Sequence, residues 1–298
     1  MSADIRHIRT PVLDIAYEEH GAADGGPVLL MHGWPYDPRC YDAVVPLLVA
    51  KGHRVIVPFL RGFGATRFLS VDTPRSGQQA ALGNDLRELM DVLSIPRAVL
   101  AGYDWGGRAA CIVAALWPGR VQGLVTANGY NIQNIPAANQ PASPEQERRF
   151  WYQYYFHTER ARAGLETNRR GFCRLLWELW SPHWQFDDAT FARSAVSFDN
   201  PDFVAVTIQS YRHRYGNAPG DPALEPIETR LAALPKIGVP TIILQGEADG
   251  VQASAAFEHL DVNFSGPHTR RSLPKVGHNV PQEAPEAFAE SVLAVAQG

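Results

Sequence analysis

Ala98-Val99-Leu100-Ala101-Gly102-Tyr103-Asp104-Trp105-Gly106-Gly107 is the stretch that decides the fold. A short buried strand, Ala98–Gly102, runs straight into a helical stretch, Trp105–Trp117, with no loop between them. So sharp a strand-to-helix turn forces its central residue into a strained backbone conformation, and small residues two before and two after relieve the crowding. Gly102 and Gly106 occupy those places around Asp104. The Asp104 side chain is then held above the sheet edge beside a helix N-terminus, which favours a negative group. The plain alternative is that Asp104 only caps the helix.

Outward from this turn the chain alternates strands with helices. Val12–Tyr17 alternates with period two, while Val28–Met31, Arg54–Pro58 and Val121–Ala127 read as buried strands. Tyr41–Lys51 and Gln78–Leu93 carry helical spacing, with Leu82, Leu86, Leu89 and Leu93 on one face. This alternation implies a mainly parallel sheet covered by helices on both faces. Tyr130–Pro144 reads as a linker, and from Pro144 to about Tyr215 the chain is helical in period and crowded with aromatic residues. Strand and helix signals resume at Pro240–Gly246, Ser254–Leu260, Thr269–Leu273 and Pro285–Ala296. The expected layout is an α/β core over 1–129, a helical cap over 130–230 and the rest of the core over 231–298.

The 298 residues carry 27 Lys+Arg and 31 Asp+Glu, a net charge of −4, with no basic run to attract nucleic acid or anionic membranes. The apolar runs are too short to span a bilayer and the N-terminus has no secretory pattern, so a cytoplasmic location is expected. Cys40, Cys111 and Cys173 cannot all pair and read as reduced core fillers. Oligomeric state, a homodimer included, is left open.

Two further segments give Asp104 partners. Leu244-Gln245-Gly246-Glu247-Ala248-Asp249 ends a strand in acidic residues, and Gly277-His278 follows. Nucleophile, acid and histidine then fall in the order Asp104, Asp249, His278, with Glu247 as the alternative acid. His32-Gly33-Trp34-Pro35 follows the Val28–Met31 strand.

With these motifs the chain resembles the α/β-hydrolase superfamily over essentially its whole length, with Asp104 at the nucleophile elbow. The resemblance implies that the backbone N–H groups of Trp34 and Trp105 form an oxyanion hole, and that His32, Pro35 and Trp105 border the substrate. Aspartate at the elbow suits saturated carbon. A serine would form an ether there that water could not cleave, whereas an aspartyl alkyl ester can be hydrolysed at its own carbonyl carbon by water that His278 activates. Epoxides or alkyl halides are therefore the expected substrates.

The cap separates these two. Trp151-Tyr152-Gln153-Tyr154-Tyr155-Phe156 and Ser210-Tyr211-Arg212-His213-Arg214 are similar to the segments of soluble epoxide hydrolases that carry two ring-opening tyrosines, and Arg61-Gly62-Phe63-Gly64 lies near that family's RGxG loop. That resemblance implies catalytic roles for Tyr152 and Tyr211, with Tyr154 or Tyr155 as alternatives to Tyr152. The expected partners are a small hydrophobic epoxide and water, with no cofactor and no metal. The runner-up is haloalkane dehalogenase, with Trp105 as halide ligand, although an Asn common in that family is replaced by Trp34. Fluoroacetate-type dehalogenases carry Arg directly after the nucleophile, where Trp105 stands here. Arg108, one turn into the helix, is expected at the surface or in packing. An inactive ligand-binding scaffold of the same fold is the non-enzymatic alternative.

Overall fold

The computed structural model describes residues 4–252 and 258–297, without the side chains of 258–260. Its strands are β1 (Arg6–Arg9), β2 (Leu13–His20), β3 (Gly26–Met31), β4 (His53–Pro58), β5 (Arg67–Phe68), β6 (Ala98–Gly102), β7 (Val121–Ala127), β8 (Thr241–Gly246) and β9 (His268–Leu273). They form one sheet in the order β1-β2-β4-β3-β6-β7-β8-β9, with β5 pairing β2. The pairs from β4 through β3, β6, β7 and β8 to β9 are parallel, while β1–β2 and β2–β4 are antiparallel. The parallel strands sit between two helical layers, so β6 is buried at every residue and β8 likewise.

The core helices are α1 (Val44–Val49), α2 (Gln79–Val92), α3 (Asp104–Leu116), α10 (Val280–Glu283) and α11 (Pro285–Ala296). Between β7 and β8 lie α4 (Pro144–Arg149), α5 (Trp151–Tyr155), α6 (Glu159–Trp180), α7 (Asp188–Ala195), α8 (Phe203–Arg214) and α9 (Glu225–Ala232). No strand occurs among these helices, in keeping with the aromatic, helix-period composition of the segment.

Three expectations need adjustment. The boundary at 230/231 falls inside α9, which docks on the core: Glu228 Oε1 accepts from Ala80 N at 3.1 Å, at the N-terminus of α2. β1 and β5 give no strand signal because β1 is a mostly exposed edge of the sequence RHIR and β5 is two residues long. The helix placed near Ser254–Leu260 lies partly outside the described residues, and the described remainder, Glu258–Asn263, is a 3₁₀ turn. Among the described residues no helix is long and apolar enough to cross a membrane.

Candidate active site

The β6–α3 turn is as tight as its glycines suggest. Asp104 has φ 49°, in the left-handed region. A Cβ on Gly106 would lie 2.0 Å from the Met31 carbonyl oxygen, and one on Gly102 would lie 2.6 Å from the Gly106 carbonyl carbon. No side chain fits at either place, which is why the turn brackets Asp104 with glycines. Gly33 repeats the constraint, because a Cβ there would meet the Asp104 Cβ at 2.8 Å. The β3 loop is thereby pressed against the aspartate.

This contact fixes the carboxylate. The Trp34 backbone N–H donates to Asp104 Oδ1 at 2.7 Å. The Trp105 N–H, at the second position of α3, has no partner within its own helix. Oδ2 is left facing His278, whose Nε2 lies 3.7 Å away. The other ring nitrogen, Nδ1, stands 2.9 Å from Asp249 Oδ2 and donates to it. Asp249 is itself held: Asn128 Nδ2 donates to Oδ2 at 2.5 Å and the Val251 N–H to Oδ1 at 2.6 Å. Asn128, at φ 66°, turns the chain just past the end of β7 to make that contact. Glu247, the alternative acid, is exposed. The end of α6 holds both loops, since the Gly250 N–H (2.9 Å) and the His278 N–H (3.1 Å) both donate to the Trp180 carbonyl.

The charges are strongly coupled. Burial would raise the Asp104 carboxyl, but the nearby His278, the Arg108 charge and the Trp34 N–H outweigh it and hold the group below the ordinary carboxylate value. Burial pushes His278 down, yet Asp249 and Asp104 together carry it up to about 10. Asp104 is thereby held as a carboxylate and His278 as an imidazolium at neutral pH. The stabilising contribution of this ionisation is complete below pH 6.5 and is lost as pH rises through about 10. In an NMR titration the His278 ring resonances should move near pH 10 in the native protein. Asp104→Asn, which removes one of the two charges, should bring the midpoint down toward neutrality. An unchanged midpoint would show that Asp104 does not sense the imidazole.

Tyr152 and Tyr211 are both buried, with ring centroids 5.5 Å apart at 84°. Burial raises both phenols, so they stay protonated as potential donors. Gln153 orients the first of them. Its Oε1 accepts from Arg214 Nη1 (2.8 Å) and the Tyr215 hydroxyl (2.9 Å), which turns its Nε2 toward the Tyr152 oxygen at 3.1 Å. The Tyr152 hydroxyl thus accepts from Gln153 and keeps its own proton for another partner. Tyr154 is partly exposed and bonds Glu147, and the Tyr155 hydroxyl bonds the Arg160 carbonyl. Neither is among the residues that line the cavity in front of Asp104.

A cavity of 190 Å³ lies in front of Asp104, walled by Tyr152, His278, Arg108, Arg214, Asn131 and Gln133 among others. This corrects two expectations. Arg108 is neither at the surface nor mere packing: four residues after Asp104 on α3, it shares that residue's helical face and is buried in the cavity wall. Nor is the wall hydrophobic, because amides and guanidinium groups contribute much of it. His32 and Pro35 are also not substrate-facing. His32 is fully buried with Nδ1 near the Gly33 carbonyl (2.9 Å) and Nε2 accepting from the Leu60 N–H (3.1 Å), so both nitrogens fasten loops. The Pro35 carbonyl accepts from the Trp177 indole at 2.8 Å. The Trp105 indole N–H is buried without a hydrogen-bond partner among the described residues. Asn128, Gln153 and Arg214 are site residues that the sequence reading did not single out, and Arg108 is one that it placed outside the site.

Residues 26–285 match the family model of the alpha/beta hydrolase fold. A crystal structure from Klebsiella pneumoniae, provisionally named an epoxide hydrolase, is 49% identical over 99% of this chain and 97% of that one, with a TM-score of 0.95. Among curated proteins, a haloalkane dehalogenase of Mycobacterium marinum is 34% identical over 43% of this chain and 42% of its own length. A soluble epoxide hydrolase of a Corynebacterium species is 32% identical over 37% of each. The chain spans about two fifths of the length of the first curated relatives it matches.

Proposed function

Because the chain belongs to the alpha/beta hydrolase fold family, we propose that it is an epoxide hydrolase working through an alkyl ester of Asp104. The observation that carries this reading is a carboxylate at the elbow with Oδ1 clamped by Trp34 and Oδ2 aimed at the cavity and His278. In the first step Oδ2 attacks a ring carbon, the ring C–O bond breaks, and the departing oxygen takes a proton from Tyr152 with Tyr211 as second donor. The imidazolium proton of His278 then restores the phenol, which leaves His278 neutral. Esterification removes the Asp104 charge that raised the histidine, so the same event makes His278 a competent base. Water that His278 deprotonates then attacks the Asp104 carboxyl carbon. The oxyanion forms on Oδ1, where the Trp34 and Trp105 N–H groups stabilise it. Collapse releases the diol and regenerates carboxylate and imidazolium, so the cycle adds one water to one epoxide. Asp249 keeps the imidazole oriented throughout. The helical segment from residue 130 through α8 serves as the cap over this site.

The test is a side-by-side assay on styrene oxide, glycidol and a 1-haloalkane, scoring diol against free halide. Diol from an epoxide is expected, and no diol from either epoxide would overturn the reading. A haloalkane dehalogenase is the second reading, favoured by the unpartnered Trp105 indole N–H and by the curated dehalogenase relatives. Replacing both phenols, Tyr152→Phe with Tyr211→Phe, separates them. Epoxide opening should fall on the order of 10³-fold, in the range of lost general-acid catalysis, while any halide release persists. Unchanged diol formation would remove the tyrosines from the chemistry.

A further inference from the structure

We propose that the substrate of this site is a short epoxide bearing a carboxylate, and that Arg108 and Arg214 hold that carboxylate while Asp104 attacks the ring; the inference rests on the epoxide hydrolase reading above. Its first basis is the pairing of the two guanidinium groups. Both wall the 190 Å³ cavity that contains Asp104, and their protein partners are neutral. Arg108 Nε donates to the Asn131 carbonyl at 3.3 Å. Arg214 donates to Gln153 Oε1 at 2.8 Å and, through Nη2 at 2.8 Å, to the Gln133 side-chain oxygen in the amide orientation that suits both. Neither forms an ion pair with a carboxylate among the described residues. Every acceptor offered to them is an amide, which orients a cation without neutralising it.

The second basis is the charge balance. Arg108, Arg214 and the His278 imidazolium stand against Asp104 and Asp249, three cations to two anions. Burial, followed by the like charge of Arg214, lowers Arg108 to about 10, so the two arginines repel each other across the cavity. An anion between them would relieve that repulsion and meet two forked donor sets suited to carboxylate oxygens. The volume is the third basis. The cavity is small, 190 Å³, and below the usual range of ligand pockets, which suits a short substrate. Glycidate, an epoxide joined directly to a carboxylate, is the shortest molecule of that class. Arg108, one helical turn beyond Asp104, and Tyr152 line the same cavity as the nucleophile, so a carboxylate on the arginine keeps a short substrate's ring within that space. The carboxylate itself takes no part in bond making.

The experiment separates the anion site from the epoxide chemistry. Calorimetry with glycerate and glycerol, which differ in one carboxylate, reads the site without turnover. Glycerate should bind about thirtyfold more tightly, the scale of one good charge-assisted contact, and Arg108→Gln should remove most of that difference. Equal binding of the two, or a preference unaltered in both Arg108→Gln and Arg214→Gln, overturns the inference. Kinetics then compares glycidate with glycidol: glycidate should have the higher kcat/KM through a lower KM, and R108Q should raise KM for glycidate more than it lowers kcat. Glycidol turned over at least as efficiently as glycidate would leave an epoxide hydrolase and discard the carboxylate. Tight glycerate binding with neither epoxide opened would keep the anion site and discard the epoxide reading.

Discussion

Asp104→Ala should abolish turnover, with kcat reduced on the order of 10⁴-fold or more, because removing a covalent nucleophile leaves only binding and the oxyanion hole. The fold should survive. Asp104 lies at the surface of the cavity rather than in the packed core, and alanine at φ 49° costs about 1–2 kcal/mol relative to a right-handed position. The variant also frees the Trp34 N–H and leaves the imidazole with Asp249 alone. Its circular dichroism should therefore match the native protein while its melting temperature shifts by a few degrees. Residual activity within tenfold of native would place the covalent step elsewhere.

His278→Gln should separate the two half-reactions. Glutamine cannot deprotonate water, so the ester on Asp104 should form and then persist, its hydrolysis slowed by roughly 10³-fold or more. Intact-protein mass spectrometry should show a gain equal to one substrate molecule, confined by peptide mapping to the β6–α3 turn. The imidazolium proton that restores Tyr152 is also missing in this variant, so formation of the ester should slow as well, though far less than its breakdown. Substrate consumed with no adduct at any time would mean that water attacks the epoxide directly, and the two-step scheme would be wrong.

The constellation was legible because each member sits at an element boundary with a local signature. Asp104 is bracketed by glycines, His278 follows Gly277, and Asp249 lies in the loop just after β8. These signatures come from steric limits on the backbone, which act within a few residues. The missed members have no local constraint of that kind. Asn128 reads as an ordinary turn residue, and its role depends on an acid 121 positions away. Gln153 stands next to Tyr152, but only the fold brings Arg214 and Tyr215 to its amide oxygen. Arg108 could have been found: helical spacing from Asp104 puts it on the same face, and a cation there needs a reason. His32 shows the opposite error. Its place in a loop beside the site suggested substrate contact, whereas the nitrogen that meets Leu60 depends on a pairing between β3 and β4 that no local pattern reveals.

One carbonyl ties together two loops of the site. The oxygen of Trp180 receives the N–H of Gly250 and that of His278, so the end of α6 is a splint for the loops bearing Asp249 and His278. A chimera in which a foreign lid is grafted between β7 and β8 would have to supply an acceptor at that spot, or the transplanted protein would bind its ligand over an imidazole no longer aligned to use it.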